Sequence, residues 1–175
     1  MSHITPAKPK GRKARQRAIG RNIADLDTTA MRENILSVYH AAVDYGARSW
    51  YQDAHAHAAE LSHSQGVSLR TTIGVIAALS PSTAWERNLS LAATMLETGD
   101  AAHAYGDAIT KARRINDGES PYAVLGGRKV RSFYRNLLHP TRPGAVTVDR
   151  HALSLALVGL QGEDRSTRTR SLSDA

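Results

Sequence analysis

Ser68-Leu69-Arg70-Thr71-Thr72-Ile73-Gly74-Val75-Ile76-Ala77-Ala78-Leu79 is the stretch on which the fold turns. Ser68 suits an N-cap, because its hydroxyl can accept an orphan N–H of the first helical turn. From there Leu69, Ile73, Val75, Ile76 and Leu79 cover almost the whole circumference of a helix, not a single stripe. A helix that is apolar all round is a buried one. The reading is a central helix wrapped by others. Ser80-Pro81-Ser82-Thr83 then breaks the chain. Pro81 fits the first position of a following helix, with Ser80 as its cap.

Upstream, Asp25-Leu26-Asp27-Thr28-Thr29 offers capping residues, and Ile35, Val38, Tyr39, Ala42 and Val43 recur at helical spacing. After Gly46, a second helix is expected from about Ala47 through Leu61, with Trp50, Ala54, His57, Ala58 and Leu61 on one side. Ser62 to Gly66 closes it. Downstream, Trp85, Leu89, Ala92, Met95 and Leu96 carry a helix to Gly99-Asp100. Short helical pieces follow around 101–115 and 120–125. Val130, Phe133, Tyr134 and Leu137 mark another from Lys129 to Leu138. His139 to Gly144 is a loop, Val146-Thr147-Val148 is extended, and Ala152 to Leu160 is the last helical stretch. No internal repeat is evident.

A chain of 175 residues is one domain's worth, long enough for a real core. Hydrophobic residues reach 41% while aromatics stop at 5%, a balance that favours packed helices over a β-sandwich. The expected fold is all-α: a compact orthogonal helical domain over 25–160, a flexible basic arm over 1–24 and a polar tail over 161–175. With no Cys, disulfides, thiolate zinc and iron–sulfur clusters are excluded. No apolar run approaches the roughly 18 residues that span a membrane. The basic N-terminus lacks the apolar core of a secretory signal, so the expected location is cytoplasmic.

The net charge of +7 is unevenly placed. Lys8, Lys10, Arg12, Lys13, Arg15, Arg17 and Arg21 lie in the first 22 residues with no acid among them. The rest of the chain carries 16 basic and 16 acidic residues. Blocks of like charge are commonly interaction arms, and phosphate is the expected contact, released by salt. The plainer account is a solubilising tail.

Two further stretches carry candidate chemistry. One is Leu125-Gly126-Gly127-Arg128-Lys129-Val130. The other is Val146-Thr147-Val148-Asp149-Arg150-His151-Ala152, whose Asp149 lies twenty residues beyond Lys129. Taken singly, Asp149 is a helix cap, Lys129 a surface lysine and Gly126-Gly127 a turn. Their order gives them weight. His55, His57, Glu60 and His63 lack His-Glu-x-x-His spacing, so no metal is expected. No nucleotide-binding glycine loop is present, and no cofactor is expected.

At four ordered places within 76–151 the chain resembles the helix-hairpin-helix DNA glycosylase superfamily. Ile76-Ala77-Ala78-Leu79-Ser80-Pro81-Ser82-Thr83 is similar to its apolar helix ending in a Leu-Ser loop that faces the minor groove. Lys111-Ala112-Arg113-Arg114-Ile115 is similar to the helix before the hairpin. Leu125-Gly126-Gly127-Arg128-Lys129-Val130 is similar to the hairpin, whose lysine is the Schiff-base nucleophile in bifunctional members. Val148-Asp149-Arg150-His151 is similar to the Val-Asp-x-His signature, whose Asp is catalytic. The family hairpin usually reads Leu-Pro-Gly-Val-Gly-x-Lys, so this one is shorter. A second alignment makes the Lys129 helix the pre-hairpin helix, with the hairpin deleted, and Asp149 survives it. The pattern is also similar to small bacteriophage proteins.

The resemblance implies DNA as partner and base excision as chemistry. A base must leave the stack before its glycosidic bond is reached. Asp149 would stabilise positive charge on the sugar or deprotonate Lys129 or a water. Gly126 and Gly127 would grip a phosphate through backbone N–H groups, with Arg128, Arg131 and Arg135 adding contacts. Ser82 and His151 would face DNA, and Trp85 would fill the gap left by a flipped base. The plainer account of Trp85 is a packed core aromatic. Three rivals stand beside this reading: a non-catalytic DNA-binding module, a base-modifying enzyme, and a phage protein that binds a host factor.

Overall fold

The computed structural model describes residues 27–42, 49–101, 104 and 106–157, Arg150 by its backbone alone. Every regular element among them is a helix, and no strand occurs. In chain order these are α1 (Thr28–Ala42), α2 (Trp50–Gln65), α3 (Leu69–Leu79), α4 (Trp85–Thr98), α5 (Gly106–Asn116), α6 (Pro121–Val124), α7 (Arg128–Leu138) and α8 (Arg150–Ala156). Two compact units result. Val43–Thr147 holds α2 to α7, while Met1–Ala42 with Val148–Ala175 holds α1 and α8. The basic arm and the polar tail lie outside the described residues.

α3 is the axis of the first unit. Its cap is the expected one: Ser68 Oγ accepts the Thr71 N–H at 3.1 Å. Every residue from Thr72 to Leu79 is buried. The helix packs against α2, α4, α5, α6 and α7. Gly74 permits the closest of these approaches. A Cβ placed there would meet Pro121 Cγ at 2.7 Å and Ile115 Cγ2 at 2.9 Å. The absent side chain thus lets α5 and the start of α6 lie on α3.

The end of α3 differs from expectation. The chain does not restart as a helix at Pro81. Thr83 N–H donates to the Ser80 carbonyl at 3.2 Å, and Ser82 takes φ +57°. Proline followed by a positive φ is the pattern of a type II turn. α4 then begins at Trp85 with Ala84 as its cap, which offers no side-chain bond. The orphan carbonyls of α3 are met from elsewhere: Ser80 Oγ donates to Ala77 O at 2.9 Å, and buried Asn88 Nδ2 donates to Ile76 O at 3.1 Å. α2 also runs beyond Leu61. It stops at Gly66, whose φ of +64° allows Gly66 and Val67 to bond back to His63 and Ser62.

Aromatic rings join α2, α4 and α7. Trp50 meets Trp85 edge-on at 5.2 Å and Phe133 at 6.3 Å. Tyr51 Oη donates to Thr147 Oγ1 at 3.1 Å, which also accepts from Asn136 Nδ2 at 3.2 Å. His55 Nδ1 lies 2.7 Å from the Leu137 carbonyl. These bonds fix the extended segment before Val148 to the helical body. Tyr134 is fully buried, and its hydroxyl makes no hydrogen bond. Tyr122 stands edge-on to it at 5.1 Å, with the Arg70 guanidinium 5.5 Å from the Tyr122 ring centre.

In the other unit, Asp27 caps α1: its Oδ1 accepts from Thr29 and Ala30 N–H at 2.9 and 3.2 Å. α1 packs on α8, and Asn34 Nδ2 donates to the Ala156 carbonyl at 3.0 Å. The expected apolar face of α1 is not a buried one. Ile35 remains 50% and Tyr39 47% exposed, and no residue of α1 is buried. Helical spacing places side chains on one face but does not supply a partner for it. Leu26, Val43 and Ala47 lie outside the described residues.

Two stability outcomes follow from this packing. Gly→Ala in a helix ordinarily stabilises by about 1 kcal/mol. Gly74→Ala should instead lose about 1–3 kcal/mol in urea unfolding, because overpacking against Pro121 and Ile115 outweighs propensity. Tyr134→Phe should change stability at pH 7 by no more than about 1 kcal/mol, since the buried hydroxyl it removes has only the Arg70 guanidinium to answer it. Burial pushes the Tyr134 phenol up, with Arg70 opposing. A raised folded pKa gives stability that is present below the unfolded value and lost as pH rises through the folded one. Tyr134→Phe should therefore hold its melting temperature further into the alkaline range than the parent.

Candidate nucleic-acid interface

The turn before α7 is built by glycine and arginine. Pro121 starts α6 at its first position, and the helix ends after one turn at buried Leu125. Gly127 caps α7 with φ +70° and ψ 145°. A Cβ at Gly127 would meet nothing within 4 Å, so glycine is required there by backbone conformation and not by space. Arg131 Nε donates to the Leu125 carbonyl at 2.7 Å and ties the turn to the helix that follows it. Arg131 is thus first a structural cation. Arg128 and both glycines are exposed, and Lys129 is half-buried in the first turn of α7.

A cavity of about 260 Å³ opens beside this turn. Ala78 of α3, Pro81 and Ser82 of the type II turn, Asp107, Ala108 and Lys111 of α5, Leu125, Gly126 and Val130 line it. Three segments singled out in the sequence, 40 or more residues apart at their extremes, therefore meet around one space. Most of the lining is apolar. Lys111 Nζ and Asp107 Oδ2 form an ion pair at 2.6 Å. Lys129 sits one residue before the lining Val130 and takes part in no ion pair among the described residues. Trp85 is half-buried against Trp50, and Trp50 is the more exposed ring of the pair, at 40%.

Asp149 caps α8 and belongs to the unit that contains α1 and α8. Its Oδ1 accepts from His151 N–H at 2.9 Å and Ala152 N–H at 2.8 Å. The backbone there is extended, and the residue is half-buried. The helix begins at Arg150, two residues before the expected Ala152, because the cap sets the first helical residue. Residues 139–149 hold no helix, so α7 passes directly to α8 through a loop. The Gly126-Gly127 turn likewise follows a single helical turn, not a full helix.

A second cavity, of about 180 Å³, lies at the other end of α7. Tyr122, Arg135, His139, Arg142, Pro143 and Ala145 line it. Of these, only Arg135 was marked by sequence reasoning. The signal was nonetheless present: residues 120–148 contain five Lys or Arg and no acid. Averaged over residues 23–175 the charge is zero, which conceals this segment. Lys8, Lys10, Arg12, Lys13, Arg15 and Arg17 lie outside the described residues. No group of three or more potential metal ligands occurs among the described residues. His57 pairs weakly with Glu60 at 3.7 Å.

The chain belongs to a family of unknown function, DUF7178, whose model matches residues 17–173. No curated protein and no solved structure matches it.

The Asp149 cap has a measurable weight. Asp149→Ala should loosen α8 by about 1 kcal/mol, whereas Asp149→Asn, an equally good cap, should change it by a few tenths at most. Hydrogen exchange at the His151 and Ala152 amides reads this locally. Equal protection in both variants and the parent would mean that the cap contributes nothing.

Proposed function

We propose that this protein binds DNA and acts on a base in it, as an N-glycosylase of the helix-hairpin-helix type on an orthogonal helical scaffold. One observation carries the reading. The Pro81-Ser82 turn, the Lys111 helix and the Leu125-Gly126 turn converge on a single, largely apolar cavity. These are three of the segments in which the chain resembles that superfamily. Ligand pockets for drug-sized molecules usually exceed roughly 300 Å³, so about 260 Å³ suits a small flat group such as one extruded base. The acid-free stretch 120–148 gives the same unit a phosphate-seeking face.

In this reading the C1′–N bond of the extruded nucleotide breaks, and the base leaves with a proton. A water oxygen, or the Lys129 amine after it has lost a proton, forms the new bond to C1′. The resemblance assigns Asp149 the part of the carboxylate that stabilises the cationic sugar or takes the proton. Its two amide bonds hold the carboxylate in one orientation. Arg128 and the N–H groups of the Gly126-Gly127 turn contact phosphate, as does the arm. Ser82 and His151 face DNA, and Trp50 beside Trp85 supplies an exposed ring for stacking.

A second reading is a DNA-binding module without chemistry. The geometry of Asp149 favours it in one respect: both amide bonds go to one oxygen and are those of an ordinary cap.

Base release and borohydride trapping separate the two. The substrates are duplex and single-stranded DNA carrying abasic sites or modified bases. Asp149→Asn should abolish base release and leave DNA affinity within about twofold. Lys129→Ala should abolish the trapped adduct. Full turnover in Asp149→Asn would remove that residue from the chemistry. DNA binding by the parent with neither signal on any substrate would leave the non-catalytic module.

A further inference from the structure

The cavity at the C-terminal end of α7 is not the one that carries the glycosylase reading, though its lining falls within the acid-free stretch 120–148. Its construction is specific. His139 N–H donates to the Arg135 carbonyl at 2.9 Å, and Arg142 N–H donates to the His139 carbonyl at 3.0 Å. The chain therefore curls back on itself as soon as α7 ends. Gly144, at φ +104°, continues the turn with a backbone that other residues rarely adopt. This curl delivers Arg142, Pro143 and Ala145 to the same concavity as Arg135 and His139. Tyr122 closes it from α6.

The charges there are uncompensated. No acid lines the cavity. Three other arginines of this unit are occupied: Arg113 by Asp100 at 3.1 Å, Arg114 by Glu119 at 2.6 Å, Arg131 by the Leu125 carbonyl at 2.7 Å. Arg135 and Arg142 have no comparable partner among the described residues. A cation in the last turn of a helix complements the helix dipole, which accounts for Arg135. It does not account for Arg142, brought from beyond the helix, nor for the hollow between them. Two arginines lining one small space give it a positive potential that an anion lowers. Arginine matches phosphate in particular, because its planar fork donates two parallel bonds.

We propose that this cavity binds a phosphate group, carried by a free nucleotide or by a DNA strand. Arg135 and Arg142 hold its oxygens, His139 donates a further bond, and the Tyr122 ring forms the wall beside them. At about 180 Å³ the space takes the phosphoryl group and leaves the rest of the ligand outside. The proposal stands on the lining of the cavity and holds with or without base excision.

The test follows the His139 ring signals of the full chain by NMR, assigned with His139→Gln. Inorganic phosphate, thymidine 5′-monophosphate and a short oligothymidylate are titrated separately. The His139 signals should shift in the parent and in Arg113→Gln, which also removes one charge. Arg142→Gln, altered at an exposed loop position, should bind phosphate at least tenfold more weakly. Response to phosphate and the mononucleotide alone supports a free ligand. Response to the oligonucleotide, reversed by inorganic phosphate, supports a strand. No shift with any probe, or the same loss in Arg113→Gln as in Arg142→Gln, overturns the pocket. Phosphate shifts in a protein that releases no base would sink the glycosylase reading and leave this one standing.

Discussion

The 43–147 unit depends on the burial of α3 on all sides. From Thr72 to Leu79 this helix has no solvent face. That requires five other helices to pack on it, and so dictates a wrapped arrangement and not a layered one. The tightest constraint is at Gly74, where Pro121 and Ile115 occupy the space a methyl group would need. Because α6 starts at Pro121 and leads within seven residues to α7, that single close approach also sets where the Leu125-Gly126-Gly127 turn begins.

Both cavities are consequences of how helices around this axis end. The first forms because α3 terminates in a turn whose bonds come from Ser80 and Asn88, leaving Pro81 and Ser82 beside α5 and the next turn. The second forms because α7 terminates in a curl that returns basic side chains to the helix they followed. Helix ends leave backbone groups unpaired, and the loops that satisfy them are where a helical protein acquires concave surfaces. Acidic residues are absent from 120–148 and from the lining of the second of these surfaces, whose charged side chains are Arg135 and Arg142.

Asp149 and Lys129 are of different standing. The Asp149 carboxylate has a defined structural task at α8, and its geometry is compatible with chemistry without requiring it. Lys129 has no structural task among the described residues, yet it is half-buried beside a cavity wall. A lysine placed so can bury its stem and keep its ammonium in water. Trp85 packs edge-on against Trp50, in keeping with the plainer of its two readings, a packed aromatic.

Periodicity and capping chemistry alone determined a good deal of this protein. The all-helical class, the central position of α3, the Ser68 and Asp27 caps and the glycine stops are local or compositional properties. Each is settled within a few residues by backbone hydrogen bonding and side-chain spacing. What the sequence did not decide is which apolar face finds a cover and which distant loops meet. Ile35 and Tyr39 have helical spacing but stay exposed, because burial needs a second surface that spacing cannot specify. The turn at Pro81 went against a local preference, since Asn88 and Ser80 already finish α3. The first cavity joins residues brought together only by packing around α3, whereas the second adds Tyr122 of α6 to a curl that is local in sequence. The positive charge of the second is already written in 120–148, but the volume and lining of both are properties of the tertiary structure.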